Sequence, residues 1–381
     1  MKIDWQPNER PTMGVEVELM IVDAETGDLT QLASQILTDV GAEHPGGEHP
    51  KAKHELFQSI VEIITGVCET PADAYADLAA TMTEVSDAAA ARGGRLVGLA
   101  THPFAEAKDQ LVSPAPRYHQ LIERMQWPAR RLLICGVHVH VGVKSGERAI
   151  TIINEMRRYL PLFLALSASS PYFEGDDTGL ASARSKVFEG LPTAGLPPQL
   201  AAWSDFEEFM QTLLDTGCIT SIREVWWDVR PHPGFGTIEL RMCDAMPTLT
   251  DTIAVAALTQ ALVATIDARI DDGTLGAPPR EWVVRENRWL AGRHGLAADL
   301  IVEEPGGVRK RPARELVAEL VEEVRPAAEL IGSVAELEGV LRIAAAGSGA
   351  ERQRALIGDG ATLADVVHQL ARDLADSRSD G

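Results

Sequence analysis

Alternation of apolar and polar residues recurs through the first 250 residues of the chain. Because successive side chains of a strand point to opposite faces, such alternation is typical of a sheet with two different faces. Together with a short apolar run, the alternating stretches predict strands at 13–22, 60–67, 95–100, 132–143, 224–230 and 236–243. This part of the chain therefore reads as a strand-rich body with helices inserted between the strands.

Helical periodicity dominates between and after these strands. In the stretch 70–93, Thr70 is a suitable N-cap, Pro71 suits the first helical position, and Gly93 ends the pattern. The same periodicity predicts helices at 147–170 with a kink at Pro161, 203–215, 249–271, 281–293, 311–331, 334–346, 350–357 and 361–377.

The order of elements predicts an α+β fold, since strands and single helices do not alternate regularly. No stretch has the composition of a domain linker, so we expect one catalytic domain over 1–381. It comprises a strand-rich body at 1–250 and a helical C-terminal part at 251–381. The irregular stretches 41–55 and 170–198 are expected to be loops, and loops of such length in a compact domain are usually functional or disordered.

Composition and charge exclude several classes of protein. The net charge of −21 argues against nucleic acid and against anionic lipid surfaces, both of which require a basic footprint. Four cysteines lie far apart without a CxxC pair, which predicts free thiols in a reducing compartment. The polar N-terminus has no signal-peptide core, and the apolar run 159–168 is too short to span a bilayer. We therefore expect a cytoplasmic protein.

Four of the predicted strands share one unusual feature, a face rich in acidic residues, histidine and arginine opposite an aliphatic face. An antiparallel sheet with one solvated face would explain any single strand. Across four strands that explanation weakens, because solvated faces usually carry Lys, Ser, Thr and Gln. The polar faces hold Glu16 and Glu18; His138 and His140; Glu224, Trp226, Asp228 and Arg230; and Glu239 and Arg241.

A further pair of acids, Glu55 and Glu62, lies near these strands in the sequence. Glu62 stands among isoleucines and valine, and a buried carboxylate without a partner is costly, so we expect a cation beside it. An oxygen-rich set of ligands suits Mg²⁺ or Mn²⁺ better than zinc. Combined with Arg184 and the two strand arginines, two or three such ions would form a site for a polyphosphate.

Several common motifs are absent from the chain. It contains no GxxxxGK[ST], no GxGxxG after a strand, no GxSxG and no HExxH. The HVHV pair at 138–141 leaves a zinc hydrolase open as an alternative, although its spacing is weak evidence. His44, His49 and His54 could suggest a metal-binding loop, but a mobile loop rich in Gly and Pro explains them without a metal.

The chain resembles the type-2 glutamate–cysteine ligase family, also called carboxylate–amine ligases. The matching segments follow one another at family-like spacing between residue 12 and about residue 250. They are TMGVEVELMIVD (12–23), ELFQSIVEIITGVCET (55–70), CGVHVHVGV (135–143), RYLPLFLALSASSPYFEGDDTGLASARSKVFEGLPTAGLP (158–197) and WWDVRPHPGFGTIELRMCDA (226–245). Many relatives read GVEEE where this chain reads GVEVE, and strand alternation turns Val17 away from the acidic face.

The resemblance implies a curved antiparallel sheet flanked by helices, like the catalytic domain of glutamine synthetase. It implies that ATP phosphorylates the γ-carboxylate of glutamate and that an amine, by default L-cysteine, displaces phosphate. It also implies a homodimer with no nucleic-acid or membrane partner. The implied metal ligands for two or three Mg²⁺ or Mn²⁺ ions are Glu16, Glu18, Glu55, Glu62, His138 and Glu239. The implied catalytic residues are Arg230, Glu239 and Arg241, and the implied substrate or ATP contacts are His140, Arg184, Arg230 and Arg241.

Three alternatives remain at this point. The amine is open, because no residue of the motifs recognises a thiol. A metal-dependent hydrolase would use HVHV and the glutamates to activate water and would act without nucleotide. A non-catalytic sensor would bind ATP without turnover. If Glu239 is a metal ligand, its replacement by Gln is expected to abolish metal-dependent ATP binding with little loss of folding.

Overall fold

The computed structural model of the chain describes residues 2–304 and 306–378. Its strands are β1 (Met13–Asp23), β2 (Ala52–His54), β3 (Ile60–Ile64), β4 (Gly94–Val97), β5 (Gly136–Gly142), β6 (Tyr172–Phe173), β7 (Asp176–Asp177), β8 (Val229–His232), β9 (Thr237–Asp244), β10 (Asp299–Glu304) and β11 (Gly307–Pro312). Its α-helices are α1 (Ala33–Gly41), α2 (Pro71–Ala90), α3 (Pro116–Met125), α4 (Trp127–Arg130), α5 (Gly146–Met156), α6 (Leu160–Ser167), α7 (Ala183–Phe188), α8 (Trp203–Asp215), α9 (Leu249–Asp272), α10 (Glu281–His294), α11 (Ala313–Ile331), α12 (Val334–Ala346), α13 (Gly349–Gly358) and α14 (Leu363–Asp376).

A seven-stranded antiparallel sheet forms the centre of the fold. Its order is β2-β3-β1-β5-β9-β8, and β4 pairs with the second half of the long strand β1. The register sets Glu16 opposite His138 and Glu18 opposite Glu62. Between β5 and β9 the register shifts, so that two residues of β9 stand opposite His138 alone. A bulge of this kind re-aims side chains and is common beside active sites.

The two faces of the sheet differ as the alternation predicts. In β1, buried Val15 and Val17 alternate with the half-buried Glu16 and Glu18. The aliphatic face packs on a layer of helices that includes α2, α5, α6 and α9. The apolar side chains therefore form the main core, and the other face is left for the polar groups.

Helix α9 lies in the centre of the helical layer. Within the described residues, α9 is the one helix that is long and apolar enough to cross a membrane. However, 78% of its most apolar 18-residue stretch is buried inside the protein. Its contacts include α2, α11 and α12. Residues 252–263 of α9 are all buried, so this part of the helix is covered on every side, as is typical of a core helix.

Three predicted segments differ from the structure. Residues 222–224 form a turn of 3₁₀ helix, so the strand predicted at 224–230 begins only at Val229. The helix predicted at 147–170 is two helices, α5 and α6, with Pro161 in the first turn of the second. The stretch 170–198 is not one loop, since it contains the β6–β7 hairpin and the short helix α7.

The region after residue 251 also contains one element that the sequence did not predict. Strands β10 and β11 form a hairpin over 299–312 between α10 and α11. The second strand, GVRKRP, is exposed and basic and has no apolar alternation, so periodicity could not identify it. The helices after it agree with the prediction, and α14 begins with the capping box of Thr362 and Asp365.

Candidate active site

A cavity with a volume of about 900 Å³ opens on the polar face of the sheet. Strands β1, β3, β5, β8 and β9 contribute residues to it, and loops and short helices complete its walls. It brings together every residue that the family resemblance assigned to metal, substrate or catalysis: Glu16, Glu18, Glu55, Glu62, His138, His140, Arg184, Arg230, Glu239 and Arg241. Side chains spread over 225 positions of the chain thus meet at one site.

Glu18, Glu55 and Glu62 form what we term the unpaired acid group. One carboxylate oxygen of each lies within 4.8 Å of the others. Across residues 2–304 and 306–378, no Lys or Arg forms an ion pair with any of the three, and only His138 Nε2 approaches Glu18 Oε1, at 3.9 Å. Backbone N–H groups hold two of them in place, Gly136 donating to Glu18 and Leu56 to Glu55.

Burial is the first cause that raises the pKa of all three carboxyls in this group, and neighbouring acids add to it. The pKa of Glu18 rises to about 8, first because the group is buried and then because of the charge of Glu55. Burial and the surrounding acids also raise the pKa of Glu62 well above its ordinary value, and burial raises that of Glu55. Three like charges in a low-dielectric site cannot ionise together unless cations neutralise them. The residues present therefore fit bound divalent cations.

Glu16 lies between the two histidines of β5. Its Oε2 is 3.0 Å from His138 Nδ1, and its Oε1 is 3.3 Å from His140 Nε2. Burial by itself would raise the pKa of Glu16, but these two contacts lower it below its ordinary value. Burial lowers the pKa of His138 to about 4, so this imidazole is neutral at pH 7 and has a lone pair to offer a metal.

Glu239 differs from the other acids because two arginines neutralise it. Arg230 donates to it from Nε at 2.7 Å and from Nη2 at 3.3 Å, and Arg241 donates from Nη1 to the same carboxylate. Although burial opposes ionisation, these cations, Arg241 first, hold the pKa of Glu239 well below its ordinary value. A cation bound to Glu239 would therefore share its oxygens with two guanidiniums.

Arg184 lies beneath the cavity on α7. It is 3% exposed and donates to the carbonyls of Met242 and Arg241, at 3.1 and 3.4 Å. Its guanidinium lies directly against Gly136, where the Cβ of any other residue would collide with it. Packing therefore requires a glycine at position 136, because only a residue without a side chain allows Arg184 to approach the end of β5.

Sequence comparison identifies the family. A model described as "Glutamate-cysteine ligase family 2 (GCS2)" matches residues 12–365. The chain belongs to this family. A protein of Thermobifida fusca named "Putative glutamate--cysteine ligase 2" is 48% identical, over 98% of this chain and 93% of its own length. Membership makes the protein an ATP-dependent carbon–nitrogen ligase, as the resemblance implied.

Solved structures agree with the fold prediction. A glutamate–cysteine ligase of Francisella tularensis in complex with AMP superposes with a TM-score of 0.70 at 11% identity, covering 98% of this chain and 90% of that one. A bifunctional glutathione synthetase of Pasteurella multocida gives a TM-score of 0.67 at 14% identity, covering 97% of this chain and 52% of that one. At these identities the likeness concerns the fold, and it confirms the predicted α+β class.

Sequence reasoning misplaced part of the ligase cavity wall. Strand alternation grouped Glu224 and Asp228 with Arg230, but the chain before Val229 is not a strand, so alternation does not apply there. Asp228 is instead paired with Arg288, at 2.6 and 2.9 Å. Glu224 does line the cavity, but Arg124 neutralises it.

Other cavity residues were missed altogether. They are Arg117, Tyr118, Leu121 and Arg124 of α3, Phe188 of α7, and Arg223, His232 and Phe235 near β8. Helix α3 was overlooked although its apolar residues recur at the i, i+3, i+4, i+7 spacing of an amphipathic helix, at Tyr118, Leu121, Ile122 and Met125. Pro116, the first residue of the helix, was a second usable signal.

The histidine loop of the ligase does not fit a metal. His49, His44 and Glu84 do lie close together. However, His49 Nδ1 accepts hydrogen bonds from the N–H groups of Lys51 and Ala52, at 3.1 and 2.9 Å. Its proton must then be on Nε2, which faces Glu84 at 3.3 Å as a donor and has no lone pair for a cation. The interactions of His49 thus fix the turn before β2.

Proposed function

We propose that the protein joins the γ-carboxylate of glutamate to an amine, by default L-cysteine, with ATP. The products would be γ-glutamylcysteine, ADP and phosphate. The observation that carries this proposal is the unpaired acid group beside the Glu239–Arg241 pair in one cavity. Together these groups offer cation ligands and a fixed guanidinium at the same place, which phosphoryl transfer requires.

Two or three Mg²⁺ or Mn²⁺ ions suit the ligands of the cavity. The first set would be the unpaired acid group, and the second would draw on Glu16, His138 and Glu239. The carboxylate oxygens and neutral imidazole match the preferences of these ions, and the raised pKa values of Glu18 and Glu62 indicate missing positive charge. When bound, the ions would offset the negative charge of the phosphates.

The protein's own residues would then organise two displacements. The glutamate carboxylate attacks the γ-phosphorus of ATP. The bond between that phosphorus and ADP breaks, so that ADP leaves and glutamate becomes an acyl phosphate. The amine nitrogen next attacks the acyl carbon, and phosphate leaves as the C–N bond forms. Arg241 would stabilise charge on the transferred group, while Arg184 and His140 would contact substrate or phosphate.

Arg230 has a positioning role in this proposal. Four of its five N–H groups are already used, on Glu239 and on the carbonyls of Arg223 and Val225. It therefore aligns Glu239 and holds the 223–225 segment at the cavity wall. A direct substrate contact would have to use the one remaining N–H group.

The test is ADP release with ATP, Mg²⁺, glutamate and a panel of amines, with the product identified by mass spectrometry. We expect glutamate-dependent and amine-dependent turnover and a γ-glutamyl product. Turnover with an amine other than cysteine would change only the acceptor. Absence of glutamate-dependent turnover with every amine would refute the proposal, and metal-dependent hydrolysis without nucleotide would favour the hydrolase.

We propose further that the enzyme acts in the cytoplasm as a homodimer. Four free cysteines without a disulfide among the described residues support a reducing compartment. Light scattering after size-exclusion chromatography tests the dimer, and a mass of 41.1 kDa per particle would refute it.

A further inference from the structure

A second cavity lies beside the N-terminal segment of the chain, apart from the ligase cavity. Its walls are residues 8–11, residues 142–144 at the end of β5, and part of α9 within 263–271. None of the described residues that line it also lines the ligase cavity. Its volume is about 260 Å³, below the roughly 300–1,000 Å³ of sites for drug-sized ligands, so it suits a smaller molecule.

Apolar and charged side chains both line the second cavity. The apolar ones are Pro11, Val143, Val263, Ala264 and Ala268. The charged ones carry both signs and are Glu9, Arg10, Lys144, Asp267 and Asp271. A ligand that matches this lining is small, has a short apolar part and carries charge itself.

The charges on the α9 side of the second cavity are balanced within the protein. Lys144 Nζ lies 3.1 Å from Asp267 Oδ2 and 3.8 Å from Asp271 Oδ2, and Arg148 contacts both aspartates. The ammonium of Lys144 has three N–H donors, and the side chain remains 38% exposed. Lys144 can therefore donate to a ligand carboxylate as well as to Asp267.

The charges of the N-terminal segment are less fully paired. The carboxylate of Glu9 forms no ion pair within residues 2–304 and 306–378, and Glu9 is exposed. Arg10 pairs with Glu69 through Nη2 at 2.7 Å, and its side chain is 71% exposed, so further N–H groups are available. This wall thus offers an acceptor for an ammonium next to donors for a carboxylate.

The N-terminal segment also connects the second cavity to the ligase cavity. Asn8, which lines the second cavity, donates from Nδ2 to the carbonyls of Phe235 and Gly236, at 2.8 and 2.9 Å. The Gly236 carbonyl also accepts from the N–H of Val143, at 2.9 Å. Phe235 lines the ligase cavity, where its ring stacks on His232 with centroids 4.2 Å apart. The turn between β8 and β9 is thus hydrogen-bonded to two walls of the second cavity.

The contact between the N-terminal segment and this turn is close. Gly236 has a φ of +64°, and a Cβ at this position would overlap the carbonyl oxygen of Gln6. The N–H of Gln6 also donates to the carbonyl of Pro233, at 3.1 Å. Because packed backbone segments transmit displacement, a ligand that fixes residues 8–11 also restrains the turn that carries Phe235.

We propose that the second cavity binds a free amino acid with a short side chain, and that its binding strengthens nucleotide binding in the ligase cavity. The ammonium pairs with Glu9, the carboxylate with Arg10 and Lys144, and the side chain covers the apolar lining. A molecule with one charge satisfies only one of these two sets of groups.

The effect on nucleotide binding follows from the restrained turn. Phe235 is 57% exposed, and an open aromatic ring suits a nucleobase. A bound amino acid holds this ring in place and so lowers the cost of ordering it when the nucleotide binds. This half of the proposal rests on the proposed function, because it requires ATP as a ligand of the ligase cavity.

Calorimetry with three matched probes tests the ligand class without turnover. Alanine carries both charges, propionate lacks the ammonium, and ethylamine lacks the carboxylate. Alanine should bind roughly tenfold or more tightly than either, because each of the others leaves one set of charged groups without its partner. Equal binding of the three probes, or no binding of alanine, overturns the proposal.

Variants locate the binding at the second cavity. Ala268→Leu fills it from an exposed position of α9 and should abolish alanine binding, and Glu9→Gln should weaken binding by roughly tenfold. Glu25→Gln, at an exposed position outside both cavities, is the matched control and should change nothing. If alanine binds Ala268→Leu with wild-type affinity, its site lies elsewhere and the proposal is wrong.

Binding of a non-hydrolysable ATP analogue with Mg²⁺, in the absence of glutamate and acceptor amine, tests the coupling. Alanine should tighten the binding of the analogue by roughly fivefold or more, and the analogue should tighten alanine binding by the same factor. Asn8→Ala removes the bonds to the turn, so it should retain alanine binding but lose this effect. An unchanged affinity of the wild type for the analogue overturns the coupling. If the analogue does not bind at all, the proposed ligase function fails instead, while the alanine titration still decides the second site.

Discussion

Glu239 and the unpaired acid group line the same cavity, but they differ in how their buried charge is neutralised. Glu239 is 1% exposed and has two arginine partners within the protein. Glu18, Glu55 and Glu62 have no such partner among the described residues, and their pKa values rise accordingly. The protein thus neutralises Glu239 with its own arginines, whereas Glu18, Glu55 and Glu62 require a bound ligand to neutralise them.

This difference distinguishes structural carboxylates from ligand-binding carboxylates, which residue type alone does not distinguish. A paired carboxylate contributes to the folded structure and positions its arginines, whereas an unpaired one is costly until a ligand arrives. The following predictions use the same change, Glu to Gln, on both sides of the comparison.

Glu239→Gln should have the largest effect. It leaves Arg230 and Arg241 buried next to each other without their carboxylate, and breaking a buried pair in this way costs about 3–5 kcal/mol. Urea unfolding in EDTA measures the loss, with Glu62→Gln as control from the same cavity. The expectation from sequence alone, that this variant would fold nearly normally, is therefore replaced. If Glu239→Gln and Glu62→Gln were equally stable, the proposed difference between paired and unpaired acids would be wrong.

Glu62→Gln should lower ligase activity by about a hundred- to a thousandfold, because a cation that stabilises the transferred phosphoryl group loses a ligand. Its stability without metal should be unchanged or higher, since the substitution removes repulsion with Glu18 and Glu55. Coupled ADP assays and thermal unfolding in EDTA measure both effects. Glu329→Gln, at an exposed position of α11, is the control and should alter neither. Wild-type activity in Glu62→Gln would refute its assignment as a ligand.

The smallest effect concerns pH. The pKa of Glu18 is about 8 in the fold against an ordinary value of 4.5, so the folded state binds more protons than the unfolded state between these values. The contribution of Glu18 to the free energy of unfolding is therefore fully present at low pH and is lost as the pH rises toward 8. The loss is at most about 1.4 kcal/mol per pH unit. The metal-free melting temperature should fall from pH 6.5 to 8.5.

Mg²⁺ should reverse this trend, because it binds the ionised carboxylates and its stabilisation grows with pH. Thermal unfolding in EDTA and in Mg²⁺ at three pH values tests the linkage. The Glu62→Gln variant should show a shallower dependence in EDTA. A metal-free stability that rises with pH over this range would contradict the raised pKa values.

Strand alternation predicted the acidic face correctly because a strand's side-chain directions are a local property. Glu16, Glu18, His138, His140, Glu239 and Arg241 all reach the cavity from strands that the sequence located. The same reasoning failed at Glu224 and Asp228, where the backbone leaves the strand conformation. Helix α3 was also missed, although Tyr118, Leu121, Ile122 and Met125 have the spacing of an amphipathic helix and periodicity was sufficient to predict it.

Residue types and their spacing by themselves determined the sheet's two faces, the oxygen-rich set of ligands and, through its motifs, the family. They could not determine which acids are paired, because ion pairs join positions distant in sequence, as Arg124 and Glu224 do across 100 residues. The tertiary structure alone decided that Glu239 is neutralised within the protein while Glu18, Glu55 and Glu62 are not. The physical reason is that a carboxylate's environment depends on which strands and helices pack around it, and that packing is not a local property of the chain.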